Sequence, residues 1–149
     1  MGIPEKRPRP GSAVLVKKGD SFLLAKRNKS SYFGKWVIPG GGIDWGETIE
    51  EAAIREIKEE TNLDIRIIKL ICFKEIIHPS ENYHSIVFFH LAEPLNDELK
   101  AADDSEEVGF FTIDQIKKMD TAESVQIVIQ EAGFWDSVSG SKSHTIKYN

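Results

Sequence analysis

The stretch from residue 40 to residue 63 begins with three glycines and carries nine charged side chains, most of them glutamate. On a helical wheel of about 100° per residue, Glu56, Glu59 and Glu60 share one face. Carboxylates three and four residues apart repel one another unless positive charge lies among them. The stretch is therefore either a solvated helix face, paired with basic neighbours such as Arg55, or a place that binds cations. Clustered carboxylate oxygens suit Mg²⁺, or alternatively Mn²⁺, with positions left for water and substrate phosphates.

The spacing of these residues favours cation binding. From Gly41 the chain has five residues before Glu47 and seven more before Arg55, where the sequence REIKEETNL begins. This arrangement resembles the Nudix box, G-x5-E-x7-R-E-U-x-E-E-x-G-U, in which U is an apolar residue. Eight of the nine specified positions match, and Asn62 stands where the family has glycine. Asparagine tolerates the left-handed conformation that often ends a helix, so this departure leaves the chemistry intact.

The resemblance implies an α+β fold, a Nudix-type α/β/α sandwich with a mixed β-sheet between helices. It also implies a Mg²⁺-dependent hydrolase that cleaves a nucleoside diphosphate linked to another moiety, X, through attack by a metal-activated water. Carried over position by position, the metal ligands are Gly40, Glu56, Glu59 and Glu60. Arg55 orients a ligating glutamate, and Glu47 stabilises the loop and the surroundings of the metal.

The general base has two possible sources in the family, a box glutamate or an acidic residue in a later loop. Here the later loop is acidic from residue 103 to residue 107, and Glu106 and Glu107 are the preferred candidates because a predicted strand follows them. A merely solvated acidic loop explains the same residues, and that alternative stays open.

The identity of X depends on weaker signals. Pro79 lies sixteen residues after Leu63, which resembles the ADP-ribose pyrophosphatases of the family, although proline is also ordinary in a hairpin turn. Gly40 and Gly41 let the backbone approach phosphate closely, and Arg27 either holds a phosphate or packs at the rim. The favoured substrate is ADP-ribose or a nucleotide sugar. The alternatives are a (d)NTP pyrophosphatase that clears modified nucleotides and a non-catalytic regulatory domain that binds a nucleotide.

Composition and charge limit the expected partners and location of the protein. A net charge of −5 and a pI near 5.4 give no global case for nucleic acid or a membrane surface, so we expect a small-molecule nucleotide as the partner. No apolar stretch approaches the ~20 residues of a membrane span. The single Cys72 cannot form an intramolecular disulfide, and the N-terminus lacks an apolar signal region, so we expect a cytoplasmic protein. The resemblance also makes a homodimer possible.

Other patterns predict the elements that position the glutamates. Turn residues between the apolar runs 12–16 and 21–26 predict a β-hairpin, and a strand over residues 35–38 leads into a flexible loop at the three glycines. Thr48 and Glu51 match a capping box for a helix over residues 49–61.

The rest of the chain predicts strands over 64–78, 84–92 and 108–112, and helices over 114–119 and 122–132. We predict one domain from residue 11 to residue 136. A basic, proline-rich arm over residues 1–10 precedes it, and a polar tail over residues 137–149 follows it.

Overall fold

The computed structural model describes residues 6–28, 34–102, 107–136 and 143–148. The strands are β1 (Arg9–Lys18), β2 (Ser21–Lys26), β3 (Trp36–Val37), β4 (Gly40–Gly42), β5 (Ile65–His78), β6 (Tyr83–Pro94), β7 (Glu107–Thr112) and β8 (Thr145–Lys147). The helices are α1 (Ile49–Thr61), α2 (Ile113–Ile116) and α3 (Glu123–Glu131), with a turn of 3-10 helix at Pro79–Glu81. In this part of the chain, no helix has the length and apolar character needed to cross a membrane.

Strand β1 is the centre of a mixed sheet. It runs parallel to β6 over residues 9–16 and antiparallel to β4, while Lys17 and Lys18 at its end pair with β2. Strand β5 is antiparallel to β6 and is flanked by β8, which runs parallel to it. Strand β2 also pairs with β3 and β7, both antiparallel. Because β4 pairs with β1, Gly41 lies opposite Ser12, and the glycines become part of the sheet.

The two faces of β1 pack against different helices. Ala13 and Leu15 belong to the core that contains the buried side of α3, whereas Val14 and Val16 belong to the core that contains α1. Successive residues of a strand point to opposite faces, so both faces of the sheet are covered. The predicted α/β/α sandwich with a mixed sheet is confirmed.

Helix α1 begins and ends where the sequence predicts. The Thr48 hydroxyl accepts a hydrogen bond from Glu51 N at 3.0 Å, and Glu51 Oε1 accepts one from Thr48 N at 3.1 Å, which completes the capping box. At the other end Asn62 has φ 64°, and its N–H donates to Lys58 O at 3.0 Å. Asparagine adopts this left-handed conformation readily, so the chain turns here as it would with the family's glycine.

The three glycines differ from their prediction. They form strand β4 and not a flexible loop, because their backbone pairs with the edge of β1 that faces away from β6. A Cβ at Gly40 would overlap Ser12 O and Ala13, so the missing side chain is what allows this close pairing.

Both ends of the chain also differ from their prediction. Residues 9 and 10 of the predicted arm begin β1, and part of the predicted polar tail forms β8. Ile146 of β8 is buried, and the neighbouring His144 O accepts a hydrogen bond from Glu75 N at 2.6 Å. One apolar residue in a polar segment is too weak a pattern to predict a strand, and pairing with β5 supplies what the local sequence does not.

Candidate active site

The glutamate face of α1 packs against β4. A Cβ built at Gly41 would lie 2.6 Å from Glu56 Oε1, which is inside van der Waals contact. With any side chain at this position, either the Glu56 carboxylate or the strand would have to shift. Glu56 is largely buried, with 14% of its side chain exposed. The helix and the glycine strand thus meet at a carboxylate.

Arg55 holds the carboxylates of this region in place. Its Nε and Nη2 donate to the two oxygens of Glu47 at 2.7 and 2.9 Å. Its Nη1 donates to Glu56 Oε1 at 2.9 Å and to Glu59 Oε2 at 3.3 Å. Nη2 also donates to Gly42 O at 3.0 Å, which ties the network to β4. The two-point pairing with Glu47 uses the planar fork of the guanidinium group, and lysine cannot reproduce it.

These hydrogen bonds fix the protonation of the pair. Arg55, together with the Asp44 N–H that donates to Glu47 Oε1 at 2.8 Å, lowers the pKa of Glu47 to about 2. Hydrogen bonds to Glu47 and Glu56 raise the pKa of Arg55 further above its usual value. Both groups are therefore charged at any physiological pH, and Glu47 links the loop before α1 to the arginine.

The three glutamates predicted as metal ligands have different surroundings. Glu56 lies against β4, whereas the Glu59 side chain is 60% exposed. Glu60 is partly buried and lines a small cavity together with Gly40. Among the described residues, no three acidic, histidine or cysteine side chains are grouped closely enough to form a ready-made metal cage.

The glutamate carboxylates of α1 can still bind a hard divalent cation, because such an ion does not need a complete set of protein ligands. Mg²⁺ keeps several of its waters and is usually bound through one or two carboxylates plus substrate phosphates. Glu56 lies against Gly41 of β4, and Glu60 lines a small cavity together with the neighbouring Gly40. Two carboxylates and a nearby glycine carbonyl are a donor set of this kind, and Glu59 is a third carboxylate on the same helix face.

A large groove opens beside β4. Its volume is about 1230 Å³, above the roughly 300–1,000 Å³ that is typical of small-molecule sites. All four residues predicted to bind substrate line it, namely Arg27, Gly40, Gly41 and Pro79. Arg27 also lines the small cavity beside Glu60, so it connects the groove to the glutamates. The fold brings the predicted metal and substrate residues together, while their roles stay predictions.

Of the two acidic candidates for the general base, the structure describes only Glu107. Glu106 lies outside the described residues. Glu107 begins β7, where it is in register with Lys26 of β2. Lys26 also borders the small cavity that Glu60 lines. Glu107 therefore starts its strand at the edge of the candidate site, and its role stays a prediction.

Three basic residues that line the groove were not predicted as site residues from the sequence. Lys6, Arg7 and Arg9 belong to the segment predicted as an arm outside the domain. Their basic, proline-rich composition was the available signal. It did not connect them to the site, because Arg9 pairs with Ser85 of β6, some 76 residues later in the chain, and Lys6 and Arg7 directly precede Arg9.

A buried polar pair lies beneath the start of α1. Ser12 Oγ donates to Ile49 O at 2.7 Å and lies 2.9 Å from His90 Nε2. A hydroxyl has one proton, so Nε2 of the imidazole is the donor to Ser12. Burial lowers the pKa of His90, so the ring is neutral, and its Nδ1 has no hydrogen-bond partner among the described residues. The pair joins β1 and β6 to the helix that carries the glutamates.

Known proteins share this sequence pattern and fold. The family model described as the NUDIX domain matches residues 7–130. An ADP-ribose pyrophosphatase of Methanocaldococcus jannaschii is 35% identical over 112 residues, which cover 74% of this chain and 66% of that protein. The nucleoside triphosphatase NudI of Enterobacter sp. is 24% identical over 138 residues, covering 85% of this chain and 98% of that protein. The crystal structure of the MutT NUDIX hydrolase from Burkholderia pseudomallei aligns with a TM-score of 0.77 and 26% identity, covering 84% and 98% of the two chains.

The chain therefore belongs to the NUDIX domain family, because the family model matches well over half of its length. The resemblance that the glutamate motif indicated is confirmed, and so is the fold that it implied. Nudix hydrolases generally use divalent metal ions. The chain spans about two thirds of the length of the archaeal relative.

Proposed function

We propose that the protein hydrolyses the diphosphate linkage of ADP-ribose or of a related nucleotide sugar. Water adds to one phosphorus, the bridging P–O bond breaks, and the products are a nucleoside monophosphate and a sugar phosphate. The observation that carries the proposal is that Glu56 packs against the glycine strand while Glu60 shares a small cavity with Gly40 and Arg27, both of which also line the large groove. The name and the 35% identity of the archaeal relative support ADP-ribose as the first substrate to test.

The box residues have distinct roles in this proposal. Glu56, Glu60 and the carbonyl of Gly40 would hold a divalent cation, Mg²⁺ first and Mn²⁺ as the alternative, with Glu59 as a third carboxylate. A bound ion of this kind neutralises phosphate charge and lowers the pKa of a coordinated water. Arg55 orients Glu56 through the 2.9 Å hydrogen bond, which holds the carboxylate beside the glycine strand.

Residues outside the helix complete the proposed site. In this proposal Arg27 binds a phosphate of the diphosphate from the groove side, and Pro79 lines the same groove. Glu106 and Glu107 are the proposed alternatives to a box glutamate as general base. The pH profile of kcat/KM separates them, because loss of the base removes the acidic limb of the profile while loss of a bystander leaves it in place.

A (d)NTP pyrophosphatase is the second candidate. It is supported by the similarity to the nucleoside triphosphatase NudI, which this chain matches over 98% of the length of NudI. A non-catalytic nucleotide-binding domain is the third candidate and belongs to a different class. The presence of Glu56, Glu59 and Glu60 argues against it, since a module that only binds nucleotide does not need all three acidic side chains.

Product analysis with Mg²⁺ distinguishes the three candidates. Purified protein is incubated with ADP-ribose, nucleotide sugars and a panel of (d)NTPs, and the products are identified by ³¹P NMR. The proposal expects the highest kcat/KM for ADP-ribose, with AMP and ribose 5-phosphate as products. Release of pyrophosphate from a (d)NTP at a higher kcat/KM supports the second candidate. A folded protein that binds ADP-ribose and turns over none of the panel supports the third.

A further inference from the structure

The groove beside β4 is basic although the protein as a whole is acidic. Of the described residues that line it, Lys6, Arg7, Arg9 and Arg27 carry positive charge and none is aspartate or glutamate. The whole chain has 24 acidic and 19 basic residues. A groove lined by one sign of charge concentrates field lines and attracts ligands of the opposite sign. The groove lining therefore attracts anions, although the net charge of the whole protein is negative.

Three of these four cations come from the N-terminal segment, which is anchored to the sheet. Arg9 begins β1 in register with Ser85 of β6, and the Ser85 hydroxyl donates to Arg9 O at 2.8 Å. Pro8 and Pro10 restrict the backbone on either side. The Ile43 N–H donates to Pro10 O at 3.2 Å, just beyond the glycine strand. Arg9 is thus held in the sheet, and Lys6 and Arg7 directly precede this anchored strand.

The N-terminal cations are separated from the glutamates along the strand direction. Gly40 lies opposite Ala13, and Arg9 precedes Ala13 by four residues on the same strand. At about 3.3 Å per residue this is roughly 13 Å, which is longer than a diphosphate group. Arg27, in contrast, lines the small cavity beside Glu60. The groove therefore has one cation beside Glu60 and three whose backbone lies farther along the strand direction.

We infer that Lys6, Arg7 and Arg9 form a second anion subsite, which selects substrates that carry a phosphomonoester beyond the diphosphate that is cleaved. The inference rests on the proposed function, because the diphosphate at Glu56 and Glu60 sets the position of the substrate. A phosphate on a pentose next to the diphosphate extends the anionic part of the substrate toward these cations, and the long lysine and arginine side chains cover the remaining distance. It can stand on the sugar X or on the ribose of the nucleoside, and both sources present the same dianion to the cations. The groove volume of about 1230 Å³ leaves room for this additional group.

Three ligands test the subsite, namely ADP-ribose, ADP-ribose 1″-phosphate and ADP-ribose 2′-phosphate. The test variant is Lys6→Ala/Arg7→Ala/Arg9→Ala, and the matched control is Lys69→Ala/Lys100→Ala/Lys118→Ala, which removes three exposed cations outside the groove. Wild type is expected to favour one phosphorylated ligand in kcat/KM by about 10- to 100-fold, the range for charge-assisted hydrogen bonds. The test variant loses this preference, the control keeps it, and added salt weakens it.

Preference for the 1″-phosphate places the subsite at X, and preference for the 2′-phosphate places it at the nucleoside. Equal kcat/KM for all three ligands, or a preference that survives in the test variant, overturns the inference. Calorimetric binding in EDTA repeats the comparison without turnover. A binding preference in a protein that hydrolyses none of the ligands with Mg²⁺ refutes the proposed function and supports the subsite. Normal ADP-ribose hydrolysis with no binding preference overturns the subsite alone.

Discussion

Replacing Gly41 by alanine places a methyl group against the Glu56 carboxylate. The new Cβ would lie 2.6 Å from Glu56 Oε1, a separation that real Cβ atoms essentially never show. Either Glu56 or strand β4 has to move, and overpacking of this kind costs about 1–3 kcal/mol of the free energy of unfolding. At about 2–4 °C per kcal/mol for a domain of this size, Tm is expected to fall by about 2–12 °C.

The chain offers a matched control on the same strand. A Cβ at Gly42 meets nothing within 4 Å, so Gly42→Ala is expected to stay within about 0.5 kcal/mol of wild type. A second control combines Gly41→Ala with Glu56→Asp, which withdraws the carboxylate by one methylene. Because the two positions touch, the double-mutant cycle is expected to show an interaction free energy of about 0.5–3 kcal/mol, with the double variant more stable than the sum of the single changes predicts.

The assay is thermal and urea unfolding followed by circular dichroism at pH 7, together with ADP-ribose turnover. A displaced Glu56 is expected to lower kcat by about 10- to 100-fold, the range found when the support of a metal ligand is lost. If Gly41→Ala unfolds at the same temperature as Gly42→Ala and keeps full turnover, the packing of Glu56 against β4 is wrong.

Three further variants test separate parts of the structure. Arg55→Lys keeps the charge and loses the two-point hydrogen bond to Glu47, so we expect kcat/KM to fall by about 10- to 100-fold in steady-state assays. Burial lowers the pKa of His90, so the folded protein keeps this imidazole neutral, whereas the unfolded chain takes up a proton near pH 6.5. The free energy of unfolding therefore decreases as pH falls from 7 to 5, by at most about 1.4 kcal/mol per pH unit. His90→Gln is expected to flatten this slope in urea titrations. Lys74 is fully buried and pairs with Glu131 at 2.8 Å, so Lys74→Met is expected to cost about 3–5 kcal/mol in chemical unfolding, and adding Glu131→Leu recovers most of it.

Each of these predictions has a contrary outcome. Full activity of Arg55→Lys would show that a point charge is sufficient and that the planar fork is not needed. An unchanged pH slope in His90→Gln would assign the acid sensitivity to other groups. Equal stability of the single Lys74→Met variant and its double variant with Glu131→Leu would mean that the buried pair does not hold its two elements together.

The glutamate helix was predictable because its signals are local. Thr48 and Glu51 cap the start, Asn62 takes the left-handed conformation at the end, and the spacing of Arg55 and Glu56 carries the family motif. Each of these features involves residues within about one or two turns of a helix, and short-range geometry fixes them without help from the rest of the fold. The reaction type was inferred from this part of the chain.

The features that the sequence did not reveal depend on distant pairing. Nothing near Gly41 indicates that it lies opposite Ser12, because glycine has no side chain that could show a strand pattern. Ile146 alone does not mark β8, and the backbone of β5 supplies its partner. The same holds for Arg9, whose place in the groove follows from the parallel pairing of β1 with β6. The substrate groove is built from such long-range contacts, which is why the substrate was harder to infer than the reaction.

The central claim is that the box glutamates support metal-dependent cleavage of a diphosphate. The most direct measurement is the Mg²⁺ dependence of ADP-ribose hydrolysis by wild type and by Glu60→Gln, with Tm measured to show that both are folded. Glu60→Gln has nearly the same shape and removes one negative oxygen donor. We predict a loss in kcat/KM of about 100-fold or more, larger than the effect of changing a residue that only supports a metal ligand, together with a higher Mg²⁺ requirement. Full turnover by a folded Glu60→Gln variant at unchanged Mg²⁺ would contradict the claim.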